Sequence, residues 1–173
     1  MNTSHIKSHD QSFLIIGYGT LEEGGKERRY LLTHIVQKLK WQQVKAVAVE
    51  ILTPRLAPLL IKAKTVIFIS SYCLYENMIP ELSIKHFLPN QLLTRSRMIY
   101  DNPPQTLLSF TQNIYGSIPD AYWLLMPTFP TRFYNRFSFK SQPPTEELLK
   151  RLISESKLDQ FLTQLMGQPY AVF

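Results

Sequence analysis

Few residues of this chain have the type and spacing for chemistry. A glycine turn, Gly17-Tyr18-Gly19-Thr20, is followed by two carboxylates, Glu22 and Glu23, and then by Gly24 and Gly25. Such a turn could open a dinucleotide site, but the third glycine of G-x-G-x-x-G falls on Glu22, and an acidic turn repels phosphate. Ser70, Ser71, Tyr72 and Cys73 follow the most apolar run of the sequence, residues 65–69. Nucleophiles do sit beyond such strands, and Glu76 is close to Cys73, yet no His or basic partner is identifiable to activate the thiol. Cys73 therefore reads as a partly buried free thiol, and Ser70 and Ser71 lack a base in the same way. His86 lies in a strand-like alternation, where a lone imidazole is ordinarily solvated or hydrogen-bonded. His34 reads as structural, and His5 and His9 belong to a polar tail.

The elements that must position these residues can be read from hydrophobic period. Phe13, Leu14, Ile15 and Ile16 form a continuous apolar run that stops at the glycine turn, as a buried parallel strand does. Tyr30, Leu31, Ile35, Val36 and Leu39 then recur at helical spacing among Lys26, Arg28, Arg29 and Gln37, predicting an amphipathic helix with those polar residues outward. A second strand is expected over residues 44–51, with Thr53 and Pro54 opening a short helix. Residues 65–69 should form the central strand, and residues 82–87, which alternate, a strand near an edge. Pro103 and Pro104 precede a helix that should be capped at Gly116, and residues 121–126 complete the sheet. Residues 127–144 hold four prolines and five aromatic rings and read as a packed irregular loop. Its Phe129, Arg132, Phe133, Tyr134 and Arg136 have the composition of a protein interface. One last helix is expected from about Thr145 to Leu165, with Glu146 and Glu147 in its first turn.

Alternating strands and helices imply a three-layer α/β/α sandwich around a mostly parallel, twisted sheet, with right-handed crossovers. Length and composition agree with one such domain over residues 12–173, preceded by a mobile tail, residues 1–11. Nineteen basic against thirteen acidic residues give +6, which without a recognised motif is a solvated surface and not a nucleic-acid site. A single cysteine, no apolar leader and no uninterrupted apolar span point to a cytoplasmic protein without a membrane anchor.

Three stretches, in this order, resemble the hydrogenase maturation endopeptidases, and together they span residues 13–138. The first is Leu14-Ile15-Ile16-Gly17-Tyr18-Gly19-Thr20 with Glu22, Glu23, Gly24 and Gly25, similar to the family's strand, glycine turn and acidic pair. The second is Ile51-Leu52-Thr53-Pro54-Arg55-Leu56-Ala57 followed by Val66-Ile67-Phe68-Ile69, similar to its LTPELA helix start and next strand. The third is Pro104 to Leu108, Ile114-Tyr115-Gly116 and Pro119 to Pro127, similar to its PxxLLxLAxxLYG helix and the strand after it.

The resemblance implies an enzyme that removes a C-terminal peptide from the large subunit of a nickel-containing hydrogenase. It recognises nickel through an acidic residue after the glycine turn, an Asp at the tip of the third strand, and a His before the PxxLL helix. Imidazole and carboxylate suit that metal. Here the acidic position can be supplied by Glu22 or Glu23, but the Asp position is Ser70 and the His position is Tyr100, beside Asp101. A neutral hydroxyl and a phenol with an ordinary pKa near ~10 are poor replacements. The reading that follows is a catalytically inactive relative without a cofactor. It would bind a protein, such as a large subunit of a metalloenzyme or its C-terminal tail, as an assembly or maturation factor. Its expected cleft is lined by Tyr18, Thr20, Glu22, Ser70, Tyr72 and Tyr100. The rival is an active nickel-dependent endopeptidase using Glu22 or Glu23 with a substitute ligand such as His86.

Overall fold

The computed structural model describes residues 11–20, 25–40, 42–74, 78–88, 103–128 and 146–167. Among these residues the chain forms one five-stranded sheet and five helices. In chain order they are β1 (Gln11–Tyr18), α1 (Gly25–Lys38), β2 (Val44–Val49), a 3-10 turn (Pro54–Leu56) running into α2 (Ala57–Leu60), and β3 (Ala63–Cys73). There follow β4 (Ser83–Phe87), α3 (Pro103–Tyr115), β5 (Asp120–Thr128), α4 (Glu146–Glu155) and α5 (Leu158–Leu165).

The strand order is β2-β1-β3-β5-β4, with every pair parallel except the edge pair β4–β5. β3 is central, and its Val66, Ile67, Phe68 and Ile69 are fully buried on both faces, which is why that run reads as continuously apolar. From β1 the chain steps outward to β2, then returns past β1 to β3. The order therefore reverses between β1 and β3, and a crevice opens at the carboxyl ends of those two strands. Because crossovers share one hand, the reversal puts successive helices on opposite faces. α1, α4 and α5 cover the side of Phe13, Ile15, Ile67, Ile69, Leu124 and Met126. α2 and α3 cover the side of Leu14, Ile16, Val66, Phe68 and Ala121. Each fully buried Leu, Ile or Phe in these two layers stabilises the fold by roughly 1.5–3 kcal/mol.

Three expectations need correction. The final helix is two helices, because Lys157 adopts a left-handed φ of 59°. The Ser156 hydroxyl donates to the Ile153 carbonyl (2.7 Å) and accepts from the Leu158 amide (3.3 Å), closing one helix and starting the next. That break lets Leu149, Leu152 and Ile153 and then Leu158 and Leu162 all reach the core. Pro127 lies within β5, not in a loop. It sits beyond the β4 register, which ends at Leu125, so its missing N–H costs no ladder bond there. Cys73 is exposed, since β3 runs on past Ile69 and carries the thiol out of the core. The rest of the expected aromatic loop lies outside the described residues, as do Phe129, Arg132, Phe133, Tyr134 and Arg136. Among the described residues no helix is long and apolar enough to cross a membrane.

Candidate functional site

The crevice between β1 and β3 is built by strand alternation. Tyr18 and Ser70 continue the face of Ile16 and Phe68, toward α3, whereas Ser71 continues the face of Ile69, toward α1. The two hydroxyls at the tip of β3 therefore serve different layers.

On the α3 side Ser70 is buried and accepts a hydrogen bond from the indole Nε1 of Trp123 on β5, at 2.9 Å. The Tyr18 phenol joins the same group. Burial pushes its pKa up to about 12, opposed by hydrogen bonds with Ser70 and Trp123 and by the charge of Arg28. Tyr18 is thus a neutral phenol at any physiological pH, a donor and not an anionic ligand. Tyr72, one pleat farther along that face, donates its hydroxyl to the Glu81 carbonyl at 2.8 Å, tying down the segment before β4.

On the α1 side the tip of β3 meets a cation. Arg28, only 8% exposed, donates from Nη1 to the Ser71 hydroxyl at 2.7 Å and from Nη2 to the Thr20 carbonyl. Its guanidinium therefore joins the glycine turn to the third strand. The turn is shaped for it: Gly19 has φ +116°, and a Cβ there would lie 3.1 Å from Arg28 Nη1. The Gly19 amide donates to the carbonyls of Val49 and Glu50, which anchors the turn to the end of β2. A concavity of about 270 Å³ lies alongside, lined among others by Gly17, Gly19, Arg28, Arg29, Ala48 and Glu50.

Of the residues expected in the cleft, Tyr18 and Ser70 come together, and Thr20 contributes its carbonyl. Tyr72 is on the same face of β3 but bonded elsewhere. Glu22, Glu23 and Tyr100 lie outside the described residues. The substitute ligand His86 is on the edge strand β4, two strands from β3 and level with Ile67, three residues before Ser70. It pairs with Tyr122 in register, stacks on that ring at 4.5 Å, and shares a 2.6 Å hydrogen bond with Asp120 at the start of β5. It cannot complete a site at the strand tips. His34 bonds Asp159 at 2.8 Å, joining α1 to α5.

Two contributors, Arg28 and Trp123, were missed in the sequence. Arg28 was grouped with the outward residues of its helix, but it stands three positions before Leu31 and seven before Ile35, on the buried stripe. That spacing was the available signal. For Trp123, in an apolar strand, no signal pointed to Ser70.

No protein-family model matches this sequence, and no curated protein does. Solved structures do. The hydrogenase maturating endopeptidase HybD from Escherichia coli aligns at TM-score 0.51 and 12% identity, over 90% of this chain and 94% of that one. A [NiFe] hydrogenase maturation protease HycI from Thermococcus kodakarensis aligns at 0.49 and 15% identity, over 93% and 96%. A hydrogenase 2 maturation peptidase from a Thaumarchaeota archaeon aligns at 0.49 and 18%, over 91% and 99%. The likeness to HybD shows that the chain has the fold of a hydrogenase maturation endopeptidase, as its motifs imply; at such identity it establishes the fold alone.

The described residues do not fit the nickel ion that the resemblance implies. At the third-strand tip they offer two neutral hydroxyls, each already bonded, and a buried guanidinium. No group of three or more His, Cys, Asp or Glu among the described residues could hold a metal ion.

Proposed function

We propose that this chain is a catalytically inactive relative of the hydrogenase maturation endopeptidases. It would act by binding a protein partner, as an assembly or maturation factor of a metalloenzyme or related complex. The observation that carries this reading is the tip of β3. There Ser70 stands where the resemblance implies a carboxylate, tied to Trp123 and Tyr18, while Ser71 is held by Arg28. A metal-dependent peptidase needs that tip to present an anion to a cation. This tip presents neutral oxygens beside a cation, so it favours acceptor groups of a ligand over a metal.

The crevice survives this replacement. Open α/β sheets bind ligands at the strand-order reversal, and an extended tail of a partner can lie across Tyr18, Thr20, Ser70 and Tyr72 without being cut. Glu22 and Tyr100, from the sequence, would border the same crevice. The aromatic and arginine-rich segment carrying Phe129, Arg132, Phe133, Tyr134 and Arg136 follows β5 directly and would extend the contact.

Two assays on the full-length protein test the reading together. Calorimetry with nickel should give no saturable binding at micromolar metal. Incubation with a hydrogenase large-subunit precursor should give complex formation without loss of its C-terminal peptide. Tight nickel binding that disappears in Glu22→Ala or Glu23→Ala, with cleavage of the precursor, would replace this reading by that of an active nickel-dependent endopeptidase.

A further inference from the structure

A second surface lies on the outer side of α1, and Arg29 is shared between it and the concavity beside the glycine turn. Lys26, Arg29, Thr33 and Gln37 recur at i, i+3, i+7 and i+11, which places them in one row along the helix. The row forms one wall of a groove of about 550 Å³ whose opposite wall is Glu146 and Lys150 on α4.

Of the carboxylates near this groove, Glu146 and Asp159 are engaged, while Glu147, close to Lys150, makes no ion pair among the described residues. Glu146 holds Lys150 at 2.8 Å, and Asp159, beyond the far end, accepts from His34 at 2.8 Å and from Lys38 at 3.2 Å. Lys26 and Arg29 are exposed, and neither makes an ion pair with a carboxylate among the described residues. Thr33 and Gln37 continue the row with neutral polar side chains. A groove with cations at one end and polar groups along its length is complementary to a chain of carboxylates.

We infer that the α1–α4 groove is a docking surface for an acidic peptide segment of a partner protein. The row from Lys26 to Gln37 is about 16 Å long at the helical rise. An extended peptide covers that length with about five residues. This surface is independent of the strand-tip reading: it would be occupied by an acidic segment whether or not the crevice holds a metal.

The test uses the full-length chain and fluorescein-labelled pentaglutamate, with binding followed by anisotropy at low and at physiological salt. The Lys26→Glu/Arg29→Glu double variant should weaken binding about tenfold or more. A Lys45→Glu/Lys64→Glu double variant, with the same change in net charge on β2 and β3, should leave it within about twofold. All four positions are exposed, and circular dichroism checks that the variants fold. Equal loss in both variants would reduce the effect to net charge and overturn the proposal, as would absence of binding. Tighter binding of a five-nucleotide oligothymidylate than of pentaglutamate would overturn the choice of a protein segment.

Discussion

Replacing Tyr18 by Phe should invert the stability order of mutant and wild type as pH rises. The phenol is buried beside Ser70 and Trp123, with its pKa pushed up to about 12 from the ordinary 10.0. A group whose folded pKa is raised contributes stability that is complete below the unfolded value and is lost as pH climbs through the folded one. Two units correspond to about 2.7 kcal/mol in full. Integrating the two titrations gives a loss of about 1.4 kcal/mol by pH 11 and about 2.3 kcal/mol by pH 12. Near neutrality Tyr18→Phe forfeits one hydroxyl hydrogen-bond system, worth about 1 kcal/mol. The variant should therefore be less stable at pH 8, equal near pH ~10.7, and more stable above it. Urea unfolding at a series of pH values supplies the curves. Tyr122, also pushed up to about 12 by burial and by its hydrogen bond to Asp120, titrates in both proteins and cancels in the difference. Parallel curves from pH 8 to pH 11.5 would mean that the Tyr18 phenol is solvated, and the account of the crevice would fail.

Arg28→Met should lower stability by about 2–3 kcal/mol, because it leaves the Ser71 hydroxyl and Thr20 carbonyl without their charged donor. Arg28→Lys should recover less than half, since one ammonium cannot span both acceptors; thermal unfolding of the pair measures this. Gly19→Ala should cost more than Gly116→Ala. Both have positive φ, costing about 1 kcal/mol each, but only at Gly19 would the new Cβ press on another side chain, that of Arg28. Equal losses would show that Arg28 gives way freely. Phe68→Ala, at a fully buried position of the central strand, should cost about 3–5 kcal/mol by denaturant titration.

The sheet was legible because its central strands are buried on both faces. That burial demands uninterrupted apolar runs, and residues 13–16 and 65–69 supply them. The edge position of β4 was legible, but the single wet face expected from alternation over residues 82–87 is not there: Leu82 and Phe87 are buried in opposite layers, while the adjacent Lys85 and His86 are exposed. What period cannot convey is how an element ends. The last amphipathic pattern continues across Ser156 and Lys157, yet the Ser156 hydroxyl satisfies backbone groups on both sides and lets the helix restart at a new angle. Cys73 was misplaced for a related reason: a strand can outrun its covering helices, and its last side chains then leave the core.

The crevice was harder to read because its chemistry depends on which face a side chain occupies and on partners far off in sequence. Ser70 and Ser71 are adjacent and identical, but alternation gives one to Trp123, 53 positions later, and the other to Arg28, 43 positions earlier. Composition sees two hydroxyls; only the sheet separates their roles. The same geometry bears on whether the site could be turned back toward a metal. Ser70→Asp alone would place a carboxylate against Trp123 and Tyr18, whose N–H and O–H would consume its acceptor sites, while Arg28 would offset its charge from the other face. Arg28→Met alone would remove the cation and still leave only hydroxyls at the tip. The two changes share neighbours, so their effects on nickel affinity should not add: the double variant supplies the anion and removes the cation, yet Trp123 and Tyr18 still occupy the carboxylate. The barrier to regaining a metal site is thus the whole constellation, Tyr18, Arg28 and Trp123 included, and not the single missing carboxylate.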